Sequence, residues 1–339
     1  MHRSEITIDL RAVARNVRTL LDMLEGAELW AVVKGDGYGH GALDVGRAAL
    51  GAGATALCVA TVPEALALRN ALPDARLIAM GPALEEEIAP AGEARVELVV
   101  ASGPLPEGVP VHLKLDTGMG RWGLSELPSP SRHVVGLMTH LATAESDAAF
   151  AEQQLERFRE ATDRHRGLTR HAANSAAALR LPSSRLDAAR CGIAVYGLSP
   201  FGRDPAEDGL EPALRWESHV ARVKRLEPGE ATGYGRTYVA EDDAWIGIVP
   251  VGYADGFRRD LQGTEVLVAG ERCPAIGTVS MDAFAVLLPQ EVPVGAAVTL
   301  IGDGVLAEEH ARVADTINYE MVCGINSRPE RAQRTVLDA

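Results

Sequence analysis

AVVKGDGYGHG, Ala31 to Gly41, decides how this chain is read. Lys34 closes the apolar run Leu29-Trp30-Ala31-Val32-Val33, and a turn of glycine, aspartate and tyrosine follows at once. A strand that ends in a lysine beside such a turn sets an amine at the rim of a sheet, where ligands bind. An amine in a partly dry pocket can lose its proton and attack a carbonyl, the chemistry of Schiff-base lysines. A lone lysine after a buried strand is more often a plain surface residue. Here Gly35, Gly37, Gly39 and Gly41 surround Tyr38 and His40, so the backbone approaches something closely.

Outward from that stretch, short apolar runs alternate with helical patterns. Strands are expected at 29–34, 56–61, 76–80, 96–100, 111–116, 134–140, 169–174 and 188–195, with helices at 42–50, 63–71 and 148–166. Alternation of this kind implies a parallel sheet, and eight strands imply a (β/α)₈ barrel, with an open doubly wound sheet as the alternative. After about residue 212 the character changes to Pro/Gly turns and β-rich runs at 219–226, 245–251, 265–268, 284–288 and 297–301. The expected division is a barrel over 1–212 and a mostly β domain over 213–339. The Pro/Ser stretch 127–131 reads as a loop.

The chain of 339 residues is 47% hydrophobic and 24% charged, with a net charge of −14, the balance of an enzyme with a full core. That charge argues against a nucleic-acid or membrane partner. Cys58, Cys191, Cys273 and Cys323 are scattered without a CxxC pair, so reduced thiols in a cytoplasmic protein are expected and a metal site is not. The N-terminus shows no apolar signal segment, and no run of about 18 apolar residues is present.

In a barrel, catalytic groups sit at the C-terminal ends of strands. The polar candidates fall there: Lys34; Lys114 with Asp116 and Arg121; His140; Asn174 with Ser175; and Arg190 with Gly192. Each has a structural alternative. His140 can be a satisfied core histidine, Arg190 a barrel-end ion pair, and Ser175 the N-cap of the helix that follows it. In the β-rich part, ATGYGRTY (231–238) and VGYADGF (251–257) each set a tyrosine between small residues, and GTVSMDAF (277–284) is a weaker signal.

Taken in order, AVVKGDGYGHG, KLDTGMGRWG, HAANSAA, CGIAVYGLSP, GYGRTY, GYADG and SMD resemble the motifs of the alanine racemase family. The likeness runs from ITIDLRAVARNV to INYEMVCGIN. The resemblance implies a barrel that binds pyridoxal 5'-phosphate, followed by a β-domain. It implies that Lys34 carries the cofactor as a Schiff base and acts as one acid/base group. Tyr234 is then the second, on the opposite face of the substrate and supplied by a partner subunit. It further implies a hydrogen-bonded chain from Tyr234 through His140 to Arg190, with Arg190 facing the pyridine nitrogen. Tyr38, Asn174, Ser175, Gly192 and Ile193 are implied on the cofactor and its phosphate. Arg121 and the Met281 backbone are implied on the substrate carboxylate, and Lys114, when carbamylated, as the brace of Arg121. Tyr253 and Asp282 would line the entrance of a head-to-tail homodimer. The implied activity is interconversion of L- and D-alanine, supplying D-alanine for peptidoglycan. Two differences from the family pattern stand out. Ser327 replaces a tyrosine beside the phosphate and gate, which opens a broader specificity, for example toward serine. Gly37 stands where an alanine is common. A non-catalytic pyridoxal-phosphate-binding barrel would lack the β-domain and Tyr234. A decarboxylase would carry a cysteine-bearing motif and a glycine-rich phosphate loop not found here.

Overall fold

A computed structural model describes residues 2–129, 131–165 and 167–338. The chain divides into two compact units: Ala12–Phe201 with Ala206–Glu211, and Met1–Arg11 with Gly202–Pro205 and Pro212–Ala339.

In the first unit, eight parallel strands close a barrel among the described residues. With β1 (Glu5–Asp9) assigned to the other unit, they are β2 (Glu28–Val32), β3 (Ala56–Val59), β4 (Leu77–Ala79), β5 (Val96–Val100), β6 (Val111–Lys114), β7 (Val134–Met138), β8 (Thr169–His171) and β9 (Ala188–Cys191). β9 pairs with β2, with Trp30 opposite Arg190, and this seam closes the ring. The expected barrel is thus the observed one; β5 ends at its expected C-terminal limit and the other strands stop one to four residues short of theirs. Those trailing residues form the rim.

Most of the strands are apolar on both sides because helices cover the outside, β8 (Thr-Arg-His) being the clear exception. They include α1 (Leu10–Leu24), α2 (Ala42–Ala52), α3 (Val62–Ala71), α4 (Glu85–Glu93), α5 (Ala148–Thr162) and α6 (Ser175–Arg180). In α1, Val13, Val17, Leu20 and Leu24 are buried at helical spacing, giving one apolar stripe. α5 ends at Thr162; the expected end at Arg166 and the loop residue Pro130 lie outside the described residues.

α3 has a complete capping box. Thr61 Oγ1 accepts from the Glu64 amide at 3.3 Å, and Glu64 Oε2 accepts from the Thr61 amide at 3.1 Å. Glu64 Oε1 also accepts from the Gly35 amide at 2.8 Å, so the helix start is tied to the turn beside Lys34.

The second unit is a nine-stranded sheet among the described residues, joined by a short separate pair. Its later strands are β10 (Leu214–His219), β11 (Arg222–Leu226), β12 (Ala231–Thr232), β13 (Tyr238–Val239), β14 (Ala244–Val249), β15 (Glu265–Val268), β16 (Glu271–Ile276), β17 (Phe284–Leu288), β18 (Ala297–Ile301) and β19 (Gln333–Leu337). The sheet order is β11-β14-β17-β16-β15-β18-β10-β1-β19. Two differences from expectation follow. The run 219–226 is two strands broken at Val220, whose amide turns away to the Ala296 carbonyl. And ITID, expected within the barrel part, is β1, sandwiched between β10 and β19. The expected limits at Met1 and Ala339 lie outside the described residues.

Glu64→Ala removes three accepted backbone hydrogen bonds, at Gly35, Ala60 and Thr61. We expect a loss of about 1–2 kcal/mol in urea unfolding, the usual size of a lost helix cap; an unchanged midpoint would contradict the assigned cap.

Candidate active site

Lys34 is exposed two residues beyond β2. The turn after it is left-handed: φ is 60° at Gly35, 49° at Asp36, 62° at Gly37 and 53° at Tyr38. A left-handed turn costs an L-residue about 1–2 kcal/mol per position, and glycine avoids the cost. This explains GDGYG, and it suits glycine at position 37. The turn is locked by the Gly37 amide on the Val33 carbonyl at 2.8 Å and the Gly41 amide on the Asp36 carbonyl at 2.8 Å. It swings Tyr38 inward to a buried place, where its ring lies 5.0 Å from that of Tyr196. A Cβ on Gly192 would sit 2.4 Å from the Tyr38 hydroxyl, so only glycine admits that phenol.

Beside it, Ser175 Oγ accepts from the Gly192 amide at 3.0 Å and lies 3.4 Å from the Ala194 amide. Ser175 is therefore not the helix cap. Asn174 caps α6, its Oδ1 accepting from the Ala177 amide at 3.0 Å. Hydroxyl and backbone donors converge where strand β9 ends, next to Ile193.

Arg190 is buried on β9. Its guanidinium donates to the Thr139 carbonyl, the His171 carbonyl and His171 Nδ1, each at 2.9 Å, and lies 3.4 Å from His140 Nδ1. Burial lowers its pKa to about 10, which leaves it charged at neutral pH. Burial, followed by the charges of Arg190, Lys114, Arg121 and Lys34, pushes His140 down to about 3. His140 is thus a neutral imidazole beside a fixed cation.

Lys114 ends β6 and is buried; burial and the neighbouring Arg190 and Arg121 bring its pKa down to about 8. The loop after it is shaped by Asp116. Its Oδ1 accepts from the amides of Gly118 and Met119 at 2.9 Å and of Gly120 at 3.1 Å. This loop presents Arg121, whose guanidinium lies 5.4 Å over the Trp122 ring, with Lys114 Nζ at 5.9 Å.

The remaining expected residues lie in the β unit. Tyr234 is 72% exposed between Gly233 and Gly235, whose φ values are 79° and 73°. The Thr278 hydroxyl holds its carbonyl at 2.9 Å. The GYADG and SMD loops are laced together, the Tyr253 amide on the Ser280 carbonyl at 3.1 Å and the Ala254 amide on the Met281 carbonyl at 3.0 Å. Asp282 accepts from Arg331 at 2.9 Å. Buried Asp255 accepts from Arg3 at 3.0 Å and Arg331 at 2.8 Å. Ser327, half-buried, borders a cavity of about 450 Å³ with Arg3 and Arg331.

Lys34, Tyr38, Lys114, Arg121, His140, Asn174, Ser175, Arg190, Gly192 and Ile193 therefore share the C-terminal rim of the barrel, and Tyr234, Tyr253, Met281, Asp282 and Ser327 lie on loops of the β unit. Sequence reasoning missed Glu64, Asp255 and the histidines His112 and His171. The last two carry a legible signal: an imidazole inside a buried strand, in VHLK and TRH.

The family pattern "Alanine racemase, N-terminal domain" matches residues 8–200, and "Alanine racemase, C-terminal domain" matches 213–333. The alanine racemase of Lactiplantibacillus plantarum is 41% identical over 97% of this chain and 97% of its own length. That of Listeria monocytogenes is 38% identical over 96% of each. The crystal structure of biosynthetic alanine racemase from Pseudomonas aeruginosa superposes with a TM-score of 0.92 at 34% identity, covering 100% of both chains. Among the described residues, no helix is long and apolar enough to cross a membrane.

The pKa directions set the acid limit of the barrel unit. His140 is lowered from 6.5 to about 3, and His112 and His171 are lowered too, all chiefly by burial. Glu97 is held at about 2, below its ordinary 4.5, by His112 and Arg76 against the opposing effect of burial. A group lowered on folding stabilises above its unfolded value and loses that contribution as pH falls toward its folded value. All four act in the same direction. Urea unfolding at a series of pH values should therefore show stability falling steadily below pH 6.5, before the carboxylate range is reached; a flat profile from pH 7 to 5 would contradict it.

Proposed function

The chain belongs to the alanine racemase family, and on that premise we propose that Lys34 and Tyr234 are the two acid/base groups with which it interconverts L- and D-alanine. It is an isomerase. The observation that carries the reading is the gathering of an amine, two cations and a cluster of hydroxyl and amide donors at one barrel rim, in a chain that matches both family domains.

The donor set suits pyridoxal 5'-phosphate. Lys34 offers a primary amine for the aldehyde. Tyr38, Ser175, Gly192 and Ile193 offer hydroxyl and amide donors for the phosphate, and the side-chain-free Gly192 leaves the Tyr38 phenol room to reach it. Arg190 offers a permanent N–H donor for the ring nitrogen, while Asn174 fixes the α6 start. When bound, this group supplies the electron sink that makes the substrate Cα–H acidic.

The protein's part is to move protons on two faces. Lys34 takes a proton at Cα on one side as the neutral amine and gives one there as the ammonium. Tyr234 does the same on the other side as phenolate and phenol. A tyrosine has a pKa of about 10 in peptides, so the role requires positive charge nearby when the site is assembled. Arg190 cannot give up its proton at neutral pH and so protonates nothing above it. Arg121 and the Met281 backbone would hold the substrate carboxylate. A Lys114 amine with pKa about 8 is partly neutral at neutral pH and can take up carbon dioxide, giving an anion that braces Arg121.

Tyr234, Met281 and Tyr253 are 72%, 53% and 43% exposed. Large exposed side chains on adjoining loops have the composition of an interface centre. They support a head-to-tail homodimer in which the β unit completes the partner's site, with Tyr253 and Asp282 at the entrance. The buried thiols of Cys58, Cys191 and Cys273 suit the cytoplasm, where D-alanine is needed for peptidoglycan precursors. A second reading, a racemase that also accepts serine, rests on Ser327 and the cavity it borders.

Lys34→Ala should abolish the visible absorbance of protein mixed with pyridoxal 5'-phosphate; an unchanged spectrum refutes the Schiff base. Tyr234→Phe should lower racemisation by roughly 10²–10⁴-fold in both directions, with cofactor binding retained; exchange of the Cα proton of L-alanine with solvent should be lost while that of D-alanine persists. Exchange lost on both enantiomers together with lost cofactor would contradict its role. Turnover of L-serine equal to that of L-alanine would favour the broader specificity.

A further inference from the structure

The barrel interior holds a line of polar side chains that the two-base scheme does not use. Arg190 NH1 meets His171 Nδ1 at 2.9 Å. His171 Nε2 meets His112 Nδ1 at 2.9 Å. His112 Nε2 meets Glu97 Oε2 at 2.7 Å. Glu97 is gripped by Arg76 at 2.7 and 3.0 Å. Arg190 and His171 lie near the C-terminal ends of β9 and β8, whereas Glu97 is the second residue of β5 and Arg76 precedes β4. The line runs from the rim that carries Lys34 toward the opposite end.

Its two ends have fixed hydrogen-bonding character. A guanidinium only donates and a carboxylate only accepts. His171 Nδ1 must therefore keep its lone pair for Arg190, which places the proton on Nε2. His112 Nδ1 must then accept, which places its proton on Nε2, facing Glu97. The reverse direction would set an N–H against the guanidinium and a lone pair against the carboxylate. One proton arrangement survives.

The surroundings hold the rings in place. Trp30 lies 4.5 Å from the His171 ring and 5.6 Å from that of His112. A Cβ on Gly136 would come within 2.0 Å of His112 Nδ1, so β7 leaves that strip bare. The charged and titratable groups around the pair are Arg190, Arg76, Glu97 and Cys58, with Glu28 3.5 Å from Arg76. Burial, and with it the two arginines, lowers the pKa of both imidazoles, at His112 against the opposing pull of the Glu97 carboxylate.

We propose that His171, His112 and Glu97 are positioning residues for Arg190, forming a one-way hydrogen-bond chain that holds both histidines as Nε2–H tautomers and keeps an acceptor open to the guanidinium. The proposal rests on the reading of Arg190 as the partner of the cofactor's ring nitrogen. Its consequence is that Glu97, at the far end of the chain, governs how firmly that donor is presented.

The test has two parts. Nitrogen-15 NMR of histidine-labelled, cofactor-free wild-type protein reads the tautomers directly. Two neutral Nε2–H signals unchanged from pH 5.5 to 8.5 are expected; a His171 Nδ1–H form, or titration of either ring in that range, overturns the chain whatever the cofactor does. Absorbance titration with pyridoxal 5'-phosphate then compares Glu97→Leu with Glu97→Gln. The leucine variant should bind roughly tenfold more weakly, the scale of one orphaned buried donor, and the glutamine variant, which keeps an acceptor oxygen, should recover most of the loss. Scrambled tautomers in Glu97→Leu with wild-type affinity and spectrum would show a chain that positions nothing. Wild-type protein that binds no pyridoxal phosphate would instead refute the proposed function, and with it this role.

Discussion

The buried guanidinium of Arg190 sets the terms for the rest of the barrel. A charge cannot be taken out of water unless its donors are met, and the penalty for an unmet one is several kcal/mol. Four backbone or ring acceptors, from β8 and from the segments that follow β7 and β8, close around it. Those acceptors fix where β8 and β9 end relative to one another. They also fix which face of each histidine points inward. Burial, and after it the charge of Arg190, lowers the pKa values of His140, Lys114 and His171. One cation thus adds to burial at three titratable neighbours.

The second constraint is the left-handed turn after β2. It costs conformational energy, and glycines at 35 and 37 reduce that cost. In return, Lys34 stays at the rim while Tyr38 folds back under Gly192. The Glu64 carboxylate, shared between the turn and the α3 cap, couples the two.

Much of this was legible in the sequence. Most barrel strands are apolar runs, because both faces of a parallel barrel are covered, and β2, β6, β7, β8 and β9 end near the candidate site residues. The rim grouping followed from that alone. Tertiary pairing decided what was not legible. ITID is apolar and alternating, but only its partners β10 and β19 reveal that it belongs to the β unit. Ser175 and Asn174 are both good caps by type, and the fold chose Asn174 because the Ser175 hydroxyl is engaged by the β9 end. His112 and His171 are 59 positions apart and meet only when the ring closes. The roles of Tyr234 and of Ser327 rest on motif likeness, since spacing alone assigns a tyrosine between glycines to a turn.

The central claim is that protons leave and arrive on opposite faces through two different groups. It is tested most directly by racemising L-alanine in heavy water with pyridoxal-phosphate-loaded enzyme and following Cα labelling at early times. Two bases predict D-alanine that carries deuterium while the remaining L-alanine keeps its proton. D-alanine that retains the original proton would mean that one group serves both faces, and would contradict the account.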